Sequence, residues 1–117
     1  MAKAKMIALK VRNKPGAVAA AIAVLSETGI DIQSVFGWGP QGVVQLIVDN
    51  PRKAMKALTK AGIAFSEIKA EIVELSSEPG SLHAYLQKLA KKGVNLRSLS
   101  GHSNKSGEKS LLVWTAV

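Results

Sequence analysis

The segment Asn13-Lys14-Pro15-Gly16-Ala17-Val18 returns as Ser77-Glu78-Pro79-Gly80-Ser81-Leu82, a constant 64 residues later (Gly16 to Gly80). Without a gap, the same spacing sets Ile22 on Leu86 and Leu25 on Leu89, then Gly29-Ile30-Asp31-Ile32 on Gly93-Val94-Asn95-Leu96. Upstream it sets Leu9 and Val11 on Val73 and Leu75. Self-similarity of this length marks a duplicated structural unit.

Each copy has a readable physics. Ile7, Leu9 and Val11 alternate with polar residues, the period-two pattern of a strand with one buried face. Pro15-Gly16 stops that strand. Val18, Ile22 and Leu25 then recur at helical spacing until Gly29, which can take the left-handed conformation that closes a helix. A strand over 32–36, a turn-rich loop 37–42 containing Trp38, and a strand over 43–48 follow. Asn50-Pro51 caps a second helix, 52–61, and a fourth strand spans Phe65 to about Ala70.

The order is βαββαβ, a ferredoxin-like arrangement in which the crossovers set both helices on one sheet face. The second copy supplies a strand to Leu75, a helix 81–92, a strand from Asn95, a loop through Gly107 and a strand 110–116, then stops one helix and one strand short. The expected fold is therefore α/β (an α+β sandwich): a complete unit over 1–70 and a partial βαββ unit over 71–117, with antiparallel sheets. Ile68, Ala70 and Ile72 are out of phase with Val73 and Leu75, which predicts a break or kink near Ile72 at the boundary.

Composition bounds the function. Of the 117 residues, 47% are hydrophobic and 21% charged, a balance that buries a core. Cysteine is absent, which excludes disulfides and thiolate metal sites. With no signal-peptide pattern and no apolar run long enough to span a bilayer, the expected location is cytoplasmic, without membrane attachment. The net charge of +8 raises nucleic acid as a partner, but the basic residues are scattered and interrupted by Glu67, Glu71, Glu74 and Glu78, which argues against it. The first strand of each unit also has no aromatic residue for base stacking, and Trp114 stands alone in a third strand.

A strand ending in x-Pro-Gly, a helix, then Gly-hydrophobic-Asn/Asp-hydrophobic at the next strand resembles the ACT domain family of amino-acid-sensing modules. Both copies carry both parts. The resemblance implies a small amino-acid-like ligand held by the loop before the first helix and the start of the second strand, near a domain or subunit interface. Carried over by position, the ligand-binding residues are Asn13, Lys14, Gly16, Ala17, Asp31 and Ile32 in the first unit. In the second they are Ser77, Gly80, Ser81, Asn95 and Leu96. A glycine at a helix start exposes N–H groups at the positive end of the helix dipole, suiting a carboxylate, and Asp31 or Asn95 suits an ammonium. The sequence departs from the family where Asn13 and Ser77 stand in place of an acidic residue.

Enzymatic chemistry has little support. His83 and His102 are the only imidazoles and neither has a partner at motif spacing, so no catalytic, metal or cofactor site is assigned. The four glutamates read as charged protection of a strand edge. Helix one carries alanine all round, and the strands 43–48 and 111–117 are apolar on both faces except for Gln45 and Thr115. With the fourth strand of the second copy missing, the strand ending at Leu75 is expected to be an open edge, covered with the rest by a second chain in a homodimer. The alternative to a ligand sensor is a structural or regulatory subunit that binds nothing small.

Overall fold

The computed structural model describes residues 2–102 and 109–117. In chain order the elements are β1 (Ala2–Lys10), α1 (Ala17–Glu27), β2 (Ile32–Trp38), β3 (Val43–Val48), α2 (Pro51–Lys60), β4 (Phe65–Ser76), α3 (Ser81–Lys91), β5 (Leu96–His102) and β6 (Lys109–Ala116). The strands hydrogen-bond in the order β2-β3-β1-β4-β6-β5. The ladders β1/β3, β2/β3, β4/β6 and β5/β6 are antiparallel. The α/β ferredoxin-like expectation holds.

The chain forms two compact units. One comprises residues 5–68; the other comprises the described residues of 69–117 together with residues 2–4. In the first, α1 and α2 pack on one sheet face around Ile7, Leu9, Leu25, Leu46 and Leu58, all fully buried. Each such side chain contributes about 1.5–3 kcal/mol by leaving water. Asn50 accepts a 3.2 Å hydrogen bond from the Lys53 N–H, so the Asn-Pro start of α2 is capped as its sequence implies.

The second unit has α3 alone on its sheet. Equivalent positions follow from shared partners: Leu46 pairs with Ile7 and Val35, and Trp114 with Glu71 and Leu99. Where the first unit has Ala21 and Leu46, the second therefore has Tyr85 and Trp114. These larger residues fill the core with Val73, Leu89 and Leu112, without a second helix.

Four expectations are corrected. First, β4 runs unbroken from Phe65 to Ser76; the burial phase slips between Ala70 and Val73, yet the strand neither ends nor restarts. Second, β4 is not an edge. It lies between β1 and β6 in the hydrogen-bonded order, and residues 2–4 of β1 group with the second unit. The strand that the second copy lacks is thus supplied from the start of the chain, which no local pattern announces. Glu67 and Glu74 accordingly protect no edge; they lie 3.5 Å from Lys5 and 3.6 Å from Lys109.

Third, β1 is buried on both faces, with Met6 and Ala8 covered as well as Ile7 and Leu9. The same holds for Gln45 and Ile47 in β3 and for Val113 and Thr115 in β6, so one chain buries both faces without a partner. Thr115 is satisfied by the Ser98 hydroxyl at 2.5 Å. Fourth, Trp38 ends β2 and does not stand in the loop, which shortens to a single turn over 39–41. The expected loop through Gly107 lies mostly outside the described residues.

Candidate functional site

The two Pro-Gly loops fold alike. Gly16 and Gly80 stand at the helix N-caps with φ of 83° and 91°, left-handed values that an L side chain reaches only at a cost. The N–H of Ala17 donates to the Lys14 carbonyl, and that of Ser81 to the Glu78 carbonyl, each at 3.2 Å. The first α-helical bond, Ala20 to Gly16 and Ala84 to Gly80, is 2.9 Å in both. Neither helix start receives a side-chain cap, so beyond the Ala17 and Ser81 bonds to the loop no side chain satisfies the first-turn N–H groups.

A cavity opens against each loop. In the first unit it is about 300 Å³, walled by Val11, Val18, Val35 and Val44 with Asn13 and Lys14 on the loop side. In the second it is about 500 Å³, walled by Leu75, Leu82, Leu99 and Leu112 with Ser77 and Gly80 on the loop side. Val11, Val18 and Val35 match Leu75, Leu82 and Leu99 in the repeat, so the cavity recurs at corresponding positions. Val18 and Val35 remain 42% and 59% exposed, and Leu82 and Leu99 47% and 38%, apolar surface that a monomer leaves wet at both places.

The same strand glycine opens both cavities. A Cβ on Gly37 would stand 2.9 Å from the Val43 carbonyl oxygen, and one on Gly101 2.7 Å from that of Leu111. Only a residue without a side chain lets the two strands approach this closely at the cavity floor.

The sequence-predicted residues divide into two groups. Asn13, Lys14, Ser77 and Gly80 line the cavities, with Gly16, Ala17 and Ser81 at the adjoining helix starts. Asp31, Ile32, Asn95 and Leu96 do not line them. Ile32 pairs with Val48 and Trp38 with Val43, so the start of β2 lies about 17 Å along the strand from the loop end. There Asp31 has backbone work: its N–H donates to Asp49 Oδ1 at 3.1 Å, and its carbonyl accepts from the Asp49 N–H at 3.0 Å. The Asn95 carbonyl accepts from the Val117 N–H at 2.8 Å.

Residues that the motif did not single out are Val35 and Leu99 on the wall and Gly37 and Gly101 on the floor. Their signal was present: a hydrophobic residue two places before a glycine, repeated at the same spacing in both copies. His83 is exposed, and the side chain of His102 lies outside the described residues. Among the described residues no group of three His, Asp or Glu could hold a metal, and no helix is long and apolar enough to cross a membrane.

With this strand order, and a Pro-Gly loop before α1 and before α3, the chain has a ferredoxin-like fold of the kind ACT domains share. No family model and no curated protein matches it. Solved structures do. Protein BT0572 from Bacteroides thetaiotaomicron superposes with a TM-score of 0.87 at 24% identity, over 96% of this chain and 78% of that one. The regulatory subunit of aspartate kinase from Thermus thermophilus, in a ligand-free form, gives a TM-score of 0.64 at 21% identity, over 97% and 83%. E. coli aspartokinase III, in complex with lysine and aspartate in the T-state, gives 0.54 at 13% identity, over 97% of this chain and 28% of that one.

Proposed function

We propose that the chain is a regulatory module, not an enzyme, that binds a small amino-acid-like ligand at the Pro-Gly loops. The observation that supports it is the recurrence of one apolar cavity, beside a helix start whose N–H groups have no side-chain cap, at matching positions of both repeats. An α-carboxylate suits those N–H groups, and the apolar wall suits a side chain. Asn13, Lys14, Gly16 and Ala17, with Ser77, Gly80 and Ser81, are the residues that would touch it. Asp31 and Ile32, like Asn95 and Leu96, stand too far along their own sheet to share that ligand, and would reach it from another unit. A homodimer in the cytoplasm is the setting this reading favours, with 1–70 and 71–117 descending from one duplicated sequence.

The fold comparisons support a regulatory reading. The Thermus thermophilus protein is a regulatory subunit of aspartate kinase, and the E. coli aspartokinase holds lysine and aspartate. Thermal stability measured against a panel of free amino acids tests it, because a ligand bound only by the native state stabilises by RT ln(1 + [L]/Kd). A shift of several degrees with one or a few amino acids is expected. No shift anywhere in the panel, at concentrations around millimolar, leaves the structural-subunit reading, which the wet apolar residues Val18, Val35, Leu82 and Leu99 also favour.

A further inference from the structure

The two loop cavities share their backbone and differ in their rims. Both have a left-handed glycine at the helix cap, the same loop hydrogen bond and the same first helical bond, so any group held by backbone N–H donors is held alike in both. Selectivity must come from the side chains around them. At the loop of the first cavity stand Arg12, Asn13 and Lys14; at the matching positions of the second stand Ser76, Ser77 and Glu78. Among the described residues none of Arg12, Lys14 and Glu78 is held in an ion pair. Near the second cavity, the described cation Lys109, beside the lining residue Ser110, has Glu74 at 3.6 Å.

The walls differ as well. Valines line about 300 Å³ in the first unit and leucines line about 500 Å³ in the second. Among the described lining residues, the smaller cavity carries the two cations Arg12 and Lys14 on its loop, and the larger carries hydroxyls and one carboxylate, Glu78.

We propose that the two cavities have opposite ligand selectivity: the first takes a short ligand bearing an anionic side chain, and the second a longer ligand whose side chain is apolar or cationic. This rests on the reading of the loops as amino-acid-like binding sites and adds which class each one takes. The rim charges are exposed, so each alters affinity by a small factor; two cations against one carboxylate together give about a tenfold preference. That preference falls as salt screens the rim. Duplication has then produced two different sensors on one chain, each able to respond to its own metabolite.

The test uses the full chain, isotope-labelled, with the amide signals of Gly16 and Gly80 as separate reporters of the two cavities. L-Aspartate, L-leucine and L-lysine are titrated in turn. Aspartate is expected to move Gly16 at about a tenfold lower concentration than Gly80, and leucine and lysine to move Gly80 first. Lys14→Glu and Glu78→Lys, both at exposed loop positions, should each bring the altered cavity's order of preference toward that of the other. If both glycines follow the same order of affinity for the three probes, the selectivity is disproved while the loops stand as binding sites. If no probe moves either glycine, both the selectivity and the binding reading fall.

Discussion

The Trp114 indole N–H donates a 2.8 Å hydrogen bond to the Tyr85 hydroxyl inside the second unit, where each residue is 8% exposed. This pair occupies the positions of Leu46 and Ala21 in the first unit, whose core also receives α2. The second unit replaces a helix with two aromatic side chains, and the hydrogen bond makes their burial tolerable. Trp114→Phe leaves the Tyr85 hydroxyl without its donor and should cost about 1–3 kcal/mol. Tyr85→Phe should cost a similar amount. The double variant should cost clearly less than the two together, because neither group is then orphaned. Thermal unfolding of the three variants decides it, and simple additivity would show that the bond contributes nothing.

The strand that completes the second unit comes from the start of the chain, which makes a short deletion informative. Removing Ala2–Ala4 should bare the side of β4 that faces away from β6. Amides of β4 beyond Lys69 and of α3 should lose exchange protection, while those of β3 and α2 in the first unit keep theirs. Unchanged protection in α3 would mean that residues 2–4 do not serve as that unit's fourth strand.

Much of this was legible in the residues. The repeat, the βαββαβ order, the cap at Asn50 and the left-handed glycine at 29 each follow from a local rule about period or backbone freedom. What escaped was set by non-local pairing. Ala2, Lys3 and Ala4 carry no sign that they group with a unit beginning 65 residues later at Lys69. Likewise a phase slip between Ala70 and Val73 looks from the sequence like the end of a strand; β4 runs through it unbroken. Val18 reads as core by spacing from Ile22 and Leu25, yet Ala21 takes the inward position and Val18 turns to the cavity wall. The site was half legible for the same reason. Motif spacing points to the loop that lines each cavity and also to Asp31 and Asn95, which line neither.

Gly37 and Gly101 test the cavity floor directly. In Gly101→Ala the new Cβ would meet the Leu111 carbonyl oxygen at 2.7 Å and Leu112 Cδ1 at 3.2 Å, and backbone cannot yield by rotating a side chain. Gly37→Ala meets the Val43 oxygen at 2.9 Å. Each should lower stability by about 1–3 kcal/mol through displacement of the edge strand. Each should also weaken any ligand response at its own cavity and leave the other unchanged. Full retention of both stability and ligand response would show that the strands separate freely at this point.

The last prediction concerns assembly, and the structure changes its grounds. The open edge expected at β4 is closed, and both faces of β1, β3 and β6 are buried in one chain. What remains uncovered is outermost in the hydrogen-bonded order. Strands β2 and β5 each pair with a single neighbour, and unpaired strand edges bind other chains readily. On β2, Val35 and Phe36 are 59% and 40% exposed; charged residues that natural edges use as protection are absent from Ile32–Trp38. Ala19, Ala20 and Ala23 of α1 are exposed as well, a smooth surface that a partner could approach closely. The expected species is a homodimer closed about the β2 edge of the first unit, two-fold symmetric because that is the commonest way to satisfy one edge with its own copy. Sedimentation should give twice the 12.3 kDa chain mass, with dissociation only on dilution. Val35→Lys should shift the equilibrium toward monomer without unfolding it, since the side chain already reaches water. A well-folded monomer at every concentration would show that β2 is an edge the protein leaves exposed, and that any ligand meeting both the loops and Asp31 does so without a second chain.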